Sequence, residues 1–162
     1  MDSRMFRDAM GRFATGVNVI TTEVDDEIHG MTANAFMSVS LDPMLVVISI
    51  GEKARTLEKI RKSKKFAVSI LSQEQKQLSM LFAGQLKDVD DEISFDRLAG
   101  LPVIPDAQAQ IACEVTNEYV EGDHVLFIGK VIGLYVSEDS NSNPLLFYRG
   151  EYTSLEKSVT VS

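Results

Sequence analysis

The sequence predicts a mainly β fold with some α: an antiparallel β-barrel or sandwich carrying two or three short helices at its ends. Three observations predict it. Alternating and β-branched segments outnumber helical ones, giving about seven or eight strands. Most links between them are of hairpin length, as at Asp25-Asp26-Glu27 and Gly122-Asp123. No G-x-G-x-x-G follows a strand, which argues against a doubly wound α/β fold and leaves a nucleotide no Rossmann loop to sit on.

The elements follow in order. Met5, Phe6, Ala9, Met10 and Phe13 recur at helical spacing, so Ser3–Phe13 reads as a short amphipathic helix ended by Gly16. Val17–Val24 is β-branched and reads as a strand, with Ile28–Thr32 beginning its return. Phe36–Leu41 alternates. Met44–Ile50 is apolar except at Ser49 and predicts a strand buried on both faces. Thr56 is the expected N-cap of a helix over Leu57–Lys62, with Glu58 in its first turn and Arg61 and Lys62 at its end, as the helix dipole favours. Phe66–Leu71 is a further strand. Ser72 and Gln75 form a capping box opening a helix over Gln73–Ala83, and Gly84 suits the residue just beyond it. Gln85–Leu98 is polar and acidic, a surface excursion. Ala107–Glu121 and His124–Val136 are long alternating strands, and Leu145–Tyr148 is the last.

The chain has 162 residues, 44% hydrophobic and 25% charged, which suits one globular domain over 1–162. A domain of that size buries roughly 70% of the unfolded chain's surface. The net charge of −8 opposes nucleic acid and anionic membranes, whose binding needs basic patches, but leaves room for a small phosphorylated ligand beside a few local cations. One cysteine, Cys113, precludes a disulfide within the chain and a cysteine-rich zinc site, and it reads as a buried, inert thiol. Two histidines are too few for a three-histidine metal site. No apolar run has signal-peptide or membrane-spanning length, so a cytoplasmic protein is expected.

Three segments carry candidate chemistry. Gly30–Ser40 is uncharged and rich in small and hydroxyl residues. It fits either an ordinary strand link or a seat for a flat, polar-edged ring, approached by backbone N–H and C=O groups with Thr32, Asn34 and Ser38 nearby. Ser49–Thr56 lies at a strand–helix junction. It fits either a solvated loop or a phosphate site, since helix N-termini offer free N–H groups and Lys53 and Arg55 add charge. Gly122-Asp123-His124 holds a histidine that is either structural or functional. No G-x-S-x-G elbow supports a hydrolase.

Five blocks in order resemble the flavin reductase-like family. Phe13–Thr22 is similar to its FATGV-x-V-x-TT opening, and Gly30–Pro43 (GMTANAFMSVSLDP) to its most specific motif. The others are Phe66–Leu71 with Gln75 and Phe82-Ala83-Gly84, Gly122–His124 followed by Ile128–Val131, and Pro144–Tyr152. Ala35 departs from the pattern, standing where many members have serine, as does Met44, in place of a common second proline.

The resemblance covers nearly the whole chain and is nearest to the reductase components of two-component flavin-dependent monooxygenases. It implies an antiparallel split β-barrel, a homodimer, FMN or FAD as the flavin, NADH or NADPH as hydride donor, and an oxygenase partner supplied by diffusing reduced flavin. By position it implies that Thr32, Ala33, Asn34 and Ala35 line the flavin ring. Ser49, Lys53, Arg55 and Thr56 would hold its phosphate, helped by Ala83 and Gly84. His124 and Asp123 would sit near the nicotinamide, and Tyr148 and Tyr152 would help to cover the ring. A flavin-binding electron-transfer protein without turnover is the alternative the same motifs allow.

Overall fold

The structure, a computed structural model, describes residues 1–86 and 92–155. Within them a seven-stranded antiparallel sheet forms the body. Its strands are β2 (Asn18–Val24), β3 (Glu27–Ala33), β4 (Phe36–Leu41), β5 (Met44–Gly51), β6 (Lys65–Ile70), β9 (Ala109–Glu121) and β10 (His124–Val136). They lie in the order β3-β2-β6-β9-β10-β5-β4. The two edges, β3 and β4, follow each other in the chain but are not paired with one another, so the curled sheet stays open between them as a split barrel.

A smaller sheet joins β1 (Thr15–Gly16), β11 (Leu146–Tyr148) and β12 (Glu151–Thr153), and a hairpin joins β7 (Asp96–Leu98) to β8 (Leu101–Val103). Three helices complete the described residues: α1 (Ser3–Gly11), α2 (Arg55–Ser63) and α3 (Lys76–Phe82). Among the described residues no helix is long and apolar enough to cross a membrane.

The main core packs the inner face of the sheet against α2. Ile20, Ile48, Ile50, Phe66, Val68 and Phe127 meet Leu57 and Ile60 there. Each such buried side chain contributes about 1.5–3 kcal/mol of transfer free energy. A second cluster, Val17, Val19, Leu71, Ile104 and Leu145, seats the small sheet on the body. Backbone bonds from Leu71 N–H to Val17 O (3.0 Å) and from Leu145 N–H to Leu71 O (3.1 Å) tie the two together.

Local chemistry places most ends. Asp2 caps α1, its Oδ1 accepting from Met5 N–H at 2.7 Å. The capping box survives: Ser72 N–H donates to Gln75 Oε1 at 3.0 Å, but it opens a 3-10 turn, Gln73–Gln75, before α3 begins. At the other end Gly84 adopts φ +72°. Gly84 N–H donates to Leu81 O and Gln85 N–H to Met80 O, both at 3.0 Å, a complete Schellman stop.

Several expectations are corrected. The first helix ends at Gly11, and Gly16 instead pairs with Leu146 in the small sheet. Thr56 does not cap α2. The chain turns early, with Ala54 N–H bonded to Gly51 O, so Ala54 holds the cap position and Thr56 is a buried residue of the first turn. In the single chain β5 is buried on one face only: Val46, Ile48 and Ile50 point into the core, while Leu45, Val47 and Ser49 stay partly exposed. The short strands β1, β7 and β12 lay beyond periodicity, because three residues or fewer show none. Part of the Gln85–Leu98 excursion, 87–91, lies outside the described residues, as does the tail after Leu155.

Candidate functional site

A cavity of about 170 Å³ opens where the barrel splits. The end of β3 supplies Thr32 and Ala33, with Asn34 just beyond. Ser79, Ala83 and Gln85 come from α3 and its stop. Val17, Phe147 and Tyr152 come from the small sheet and the strand leading to it.

The β3 wall is braced from behind. Thr32 Oγ1 donates to Ser79 O at 2.6 Å, so its hydroxyl is engaged within the protein. The buried Asn18 donates through Nδ2 to Ala33 O at 3.2 Å. Asn34 O accepts from Phe36 N–H at 2.9 Å in the bend that carries the chain from β3 to β4. Because β3 is an edge strand, its outward N–H and C=O groups have no ladder partner, and beside the cavity they join the Asn34 and Gln85 side chains as polar groups able to meet a ligand. Gly30 lets the α3 wall approach: a Cβ there would lie 2.6 Å from the Phe82 ring.

A second group of predicted residues gathers at the far end of β5. Ala35 links the two, its carbonyl accepting from Ser49 N–H at 3.1 Å. Glu52 N–H donates to Asp123 O at 2.9 Å, fastening the Gly51–Ala54 bend to the β9–β10 turn. His124 pairs across from Gly51, with Nε2 only 3.7 Å from where a Gly51 Cβ would sit. Its Nδ1 lies 2.8 Å from Asp123 Oδ1. That hydrogen bond and the histidine's charge hold the Asp123 carboxyl below the usual aspartate range, with a smaller push from Lys53. Lys53 and Arg55 are exposed at the start of α2 and join no ion pair among the described residues.

Thus Thr32, Ala33, Asn34, Ala83 and Tyr152 share the cavity. Ser49, Lys53, Arg55, Thr56, Asp123 and His124 lie around the β5–α2 junction. Gly84 sits between two cavity residues, whereas Tyr148 is 40% exposed and stands outside the lining. Val17, Ser79, Gln85 and Phe147 line the cavity without having been singled out. Phe147 and Val17 lay inside matched motifs, but Ser79 carried no signal of its own. Two larger hollows, of about 410 and 570 Å³, lie on the outer side of α3 and beside β7, and hold none of the predicted residues.

The geometry has a counterpart among known proteins: the model of the flavin reductase like domain family matches residues 10–156. The chain belongs to the flavin reductase-like family. An NADH-dependent flavin reductase of Rhodococcus sp is 42% identical over 153 residues, covering 93% of this chain and 85% of that protein. The reductase subunit HsaB of a flavin-dependent monooxygenase from Mycobacterium tuberculosis is 35% identical over 99% of this chain and 86% of its own length. Among solved structures, flavin reductase PheA2 in its native state superposes with a TM-score of 0.92 at 60% identity, covering 97% of this chain and 100% of that one.

The residues present suit the ring such a reductase needs. Ala33 and Ala83 leave room for a flat ring, the free β3 edge offers donors and acceptors to its polar rim, and Phe147 and Tyr152 supply apolar flanks.

Proposed function

We propose that the protein is an NADH-dependent flavin reductase that passes a hydride from nicotinamide to FMN or FAD and supplies reduced flavin to a partner monooxygenase. The carrying observation is the cavity at the barrel split, built on the unpaired edge of β3 in a chain of this family. The activities of its relatives support the rest.

Bound flavin supplies the ring that accepts the hydride. The chain supplies position, the larger part of such catalysis, because hydride transfer needs the two rings held in contact and no strong acid or base. The backbone of Thr32, Ala33, Asn34 and Ala35 orients the ring edge, and preorganised N–H donors there favour the charge that reduction brings. Ser49, Lys53, Arg55 and Thr56 hold the phosphate at the start of α2, where no side chain caps the first turn. Ala83 and Gly84 close on it from the stop of α3, and Tyr152, with Tyr148, covers the ring. His124, oriented by Asp123, steers the nicotinamide.

The protein acts in the cytoplasm as a homodimer. Support for the dimer comes from the outer face of β4, β5 and β10, where exposed Met37 and half-buried Leu45, Val47, Leu126 and Ile128 lie on cross-strand neighbours. A second copy would complete the two-sided burial that the apolar run of β5 calls for.

The test is NADH oxidation with and without added FMN or FAD. Turnover that depends on flavin is expected; binding without turnover would establish the electron-transfer alternative. His124→Ala should raise KM for NADH about tenfold while flavin affinity holds, and an unchanged KM removes His124 from the nicotinamide site.

A further inference from the structure

Ser79 is the one residue at which all three walls of the cavity meet. Its side chain is fully buried. Its carbonyl accepts from Thr32 Oγ1 of β3 at 2.6 Å and, within the helix, from Ala83 N–H at 3.0 Å, so two cavity residues hang from one oxygen. Its hydroxyl lies 2.8 Å from the Tyr152 hydroxyl of β12. One turn earlier on the same helix face, Lys76 places Nζ 5.4 Å from the centre of the Tyr152 ring. The same ring meets Phe147 edge-on, with centroids 5.4 Å apart.

The small sheet shares no ladder with the seven-stranded sheet. Its backbone ties to the body run through Leu71 and the Ser72–Pro144 bridge, outside the cavity lining. Beside the cavity, α3 and β12 are joined by the Ser79–Tyr152 hydroxyl bond and the Lys76 contact, the polar links between them that the described residues provide.

We propose that Ser79 and Tyr152 are positioning residues whose hydroxyl bridge sets the gap between the α3 wall and the small-sheet wall, and so sets the affinity for flavin. The inference rests on the reading of this cavity as the flavin seat. Tyr152 thereby does more than flank a ring: its hydroxyl turns toward the protein and fixes where the flank stands. Tyr152→Phe isolates this effect, since it keeps the packing on Phe147 and the face offered to Lys76 while deleting one oxygen.

The experiment is a fluorescence titration of FMN into wild type, Tyr152→Phe, Ser79→Ala and the double variant, with the melting temperature of each free protein recorded. Each single change should raise the FMN Kd about fivefold, the scale of one ordinary hydrogen bond. The double variant should match the singles, because both remove the same bond. In steady state, KM for flavin should rise while KM for NADH stays. If Ser79→Ala fails to fold, Tyr152→Phe alone decides. Lowered melting temperatures with unchanged Kd, or additive losses in the double variant, overturn the proposal. If wild type binds no FMN the same titrations are run with FAD, and wild type that binds neither flavin overturns the flavin reading itself, a result separable from the others.

Discussion

At the level of single residues, the site separates side chains that touch the fold from backbone that faces the cavity. Thr32 illustrates the first: its hydroxyl donates to Ser79 O and is not free for a ligand. Thr32→Ala should therefore weaken flavin only two- to fivefold, about what one internal hydrogen bond carries. Ala33 illustrates the second. It lines a cavity of only about 170 Å³ and also packs against the main core, so the side chain of Ala33→Leu crowds both the ring's place and the packing behind it. Flavin binding should be abolished and the melting temperature lowered, which titration with FMN and a thermal melt of the free protein check in turn. Asn18, given no role from the sequence, braces the Ala33 carbonyl from within the fold. Cys113 behaves as its apolar setting foretold: burial pushes its thiol up to about 12, which keeps it protonated and inert.

At the level of elements, ends with a chemical signature were legible and ends set by packing were not. The Ser72–Gln75 box and the Gly84 stop were visible because both depend on residue type within a few positions. The start of α2 was misplaced because Gly51 and the β9–β10 turn, seventy residues on, decide where the bend falls. A long-range pair likewise anchors the β7–β8 hairpin. Arg97 grips Glu23 of β2 in a two-pronged ion pair and also donates to Gly100 O at 3.2 Å.

Hydrogen bonding and charge from Arg97 hold the Glu23 carboxyl below the usual glutamate range. A lowered folded value means the pair stabilises the protein above the ordinary value, about 4.3, and the gain is lost as pH falls through the folded value. Glu23→Gln should cost about 1 kcal/mol or less at neutral pH, since the pair is partly exposed, and nothing once both states are protonated. Urea denaturation of both proteins at neutral and acid pH measures the difference; a penalty that persists in acid would mean that Glu23 acts through packing.

At the level of the whole molecule, β3 and β4 remain unpaired edges, and the candidate cavity lies along β3. A closed barrel would pair those edges and leave no free backbone beside Thr32–Ala35. The other exposed feature is the apolar outer face of β4, β5 and β10. If a second copy covers it, wild type should elute as a dimer by light scattering, and Met37→Glu with Val47→Glu should run as a monomer with its circular dichroism preserved. A monomeric wild type removes the dimer from the account.

Alternation, hairpin turns and the absence of a Rossmann loop were enough to predict a mainly antiparallel β fold, because strand period and turn type are local properties of a chain. The ordered motifs were enough to point to the family. What local order does not carry is which strands become edges, and that placed the opening of the barrel between β3 and β4. Nor does it carry the meeting of α3 with β12, where Ser79 and Tyr152 stand 73 positions apart and touch. Contacts at that separation depend on how the layers pack, and packing settled the shape of the cavity that the motifs only announced.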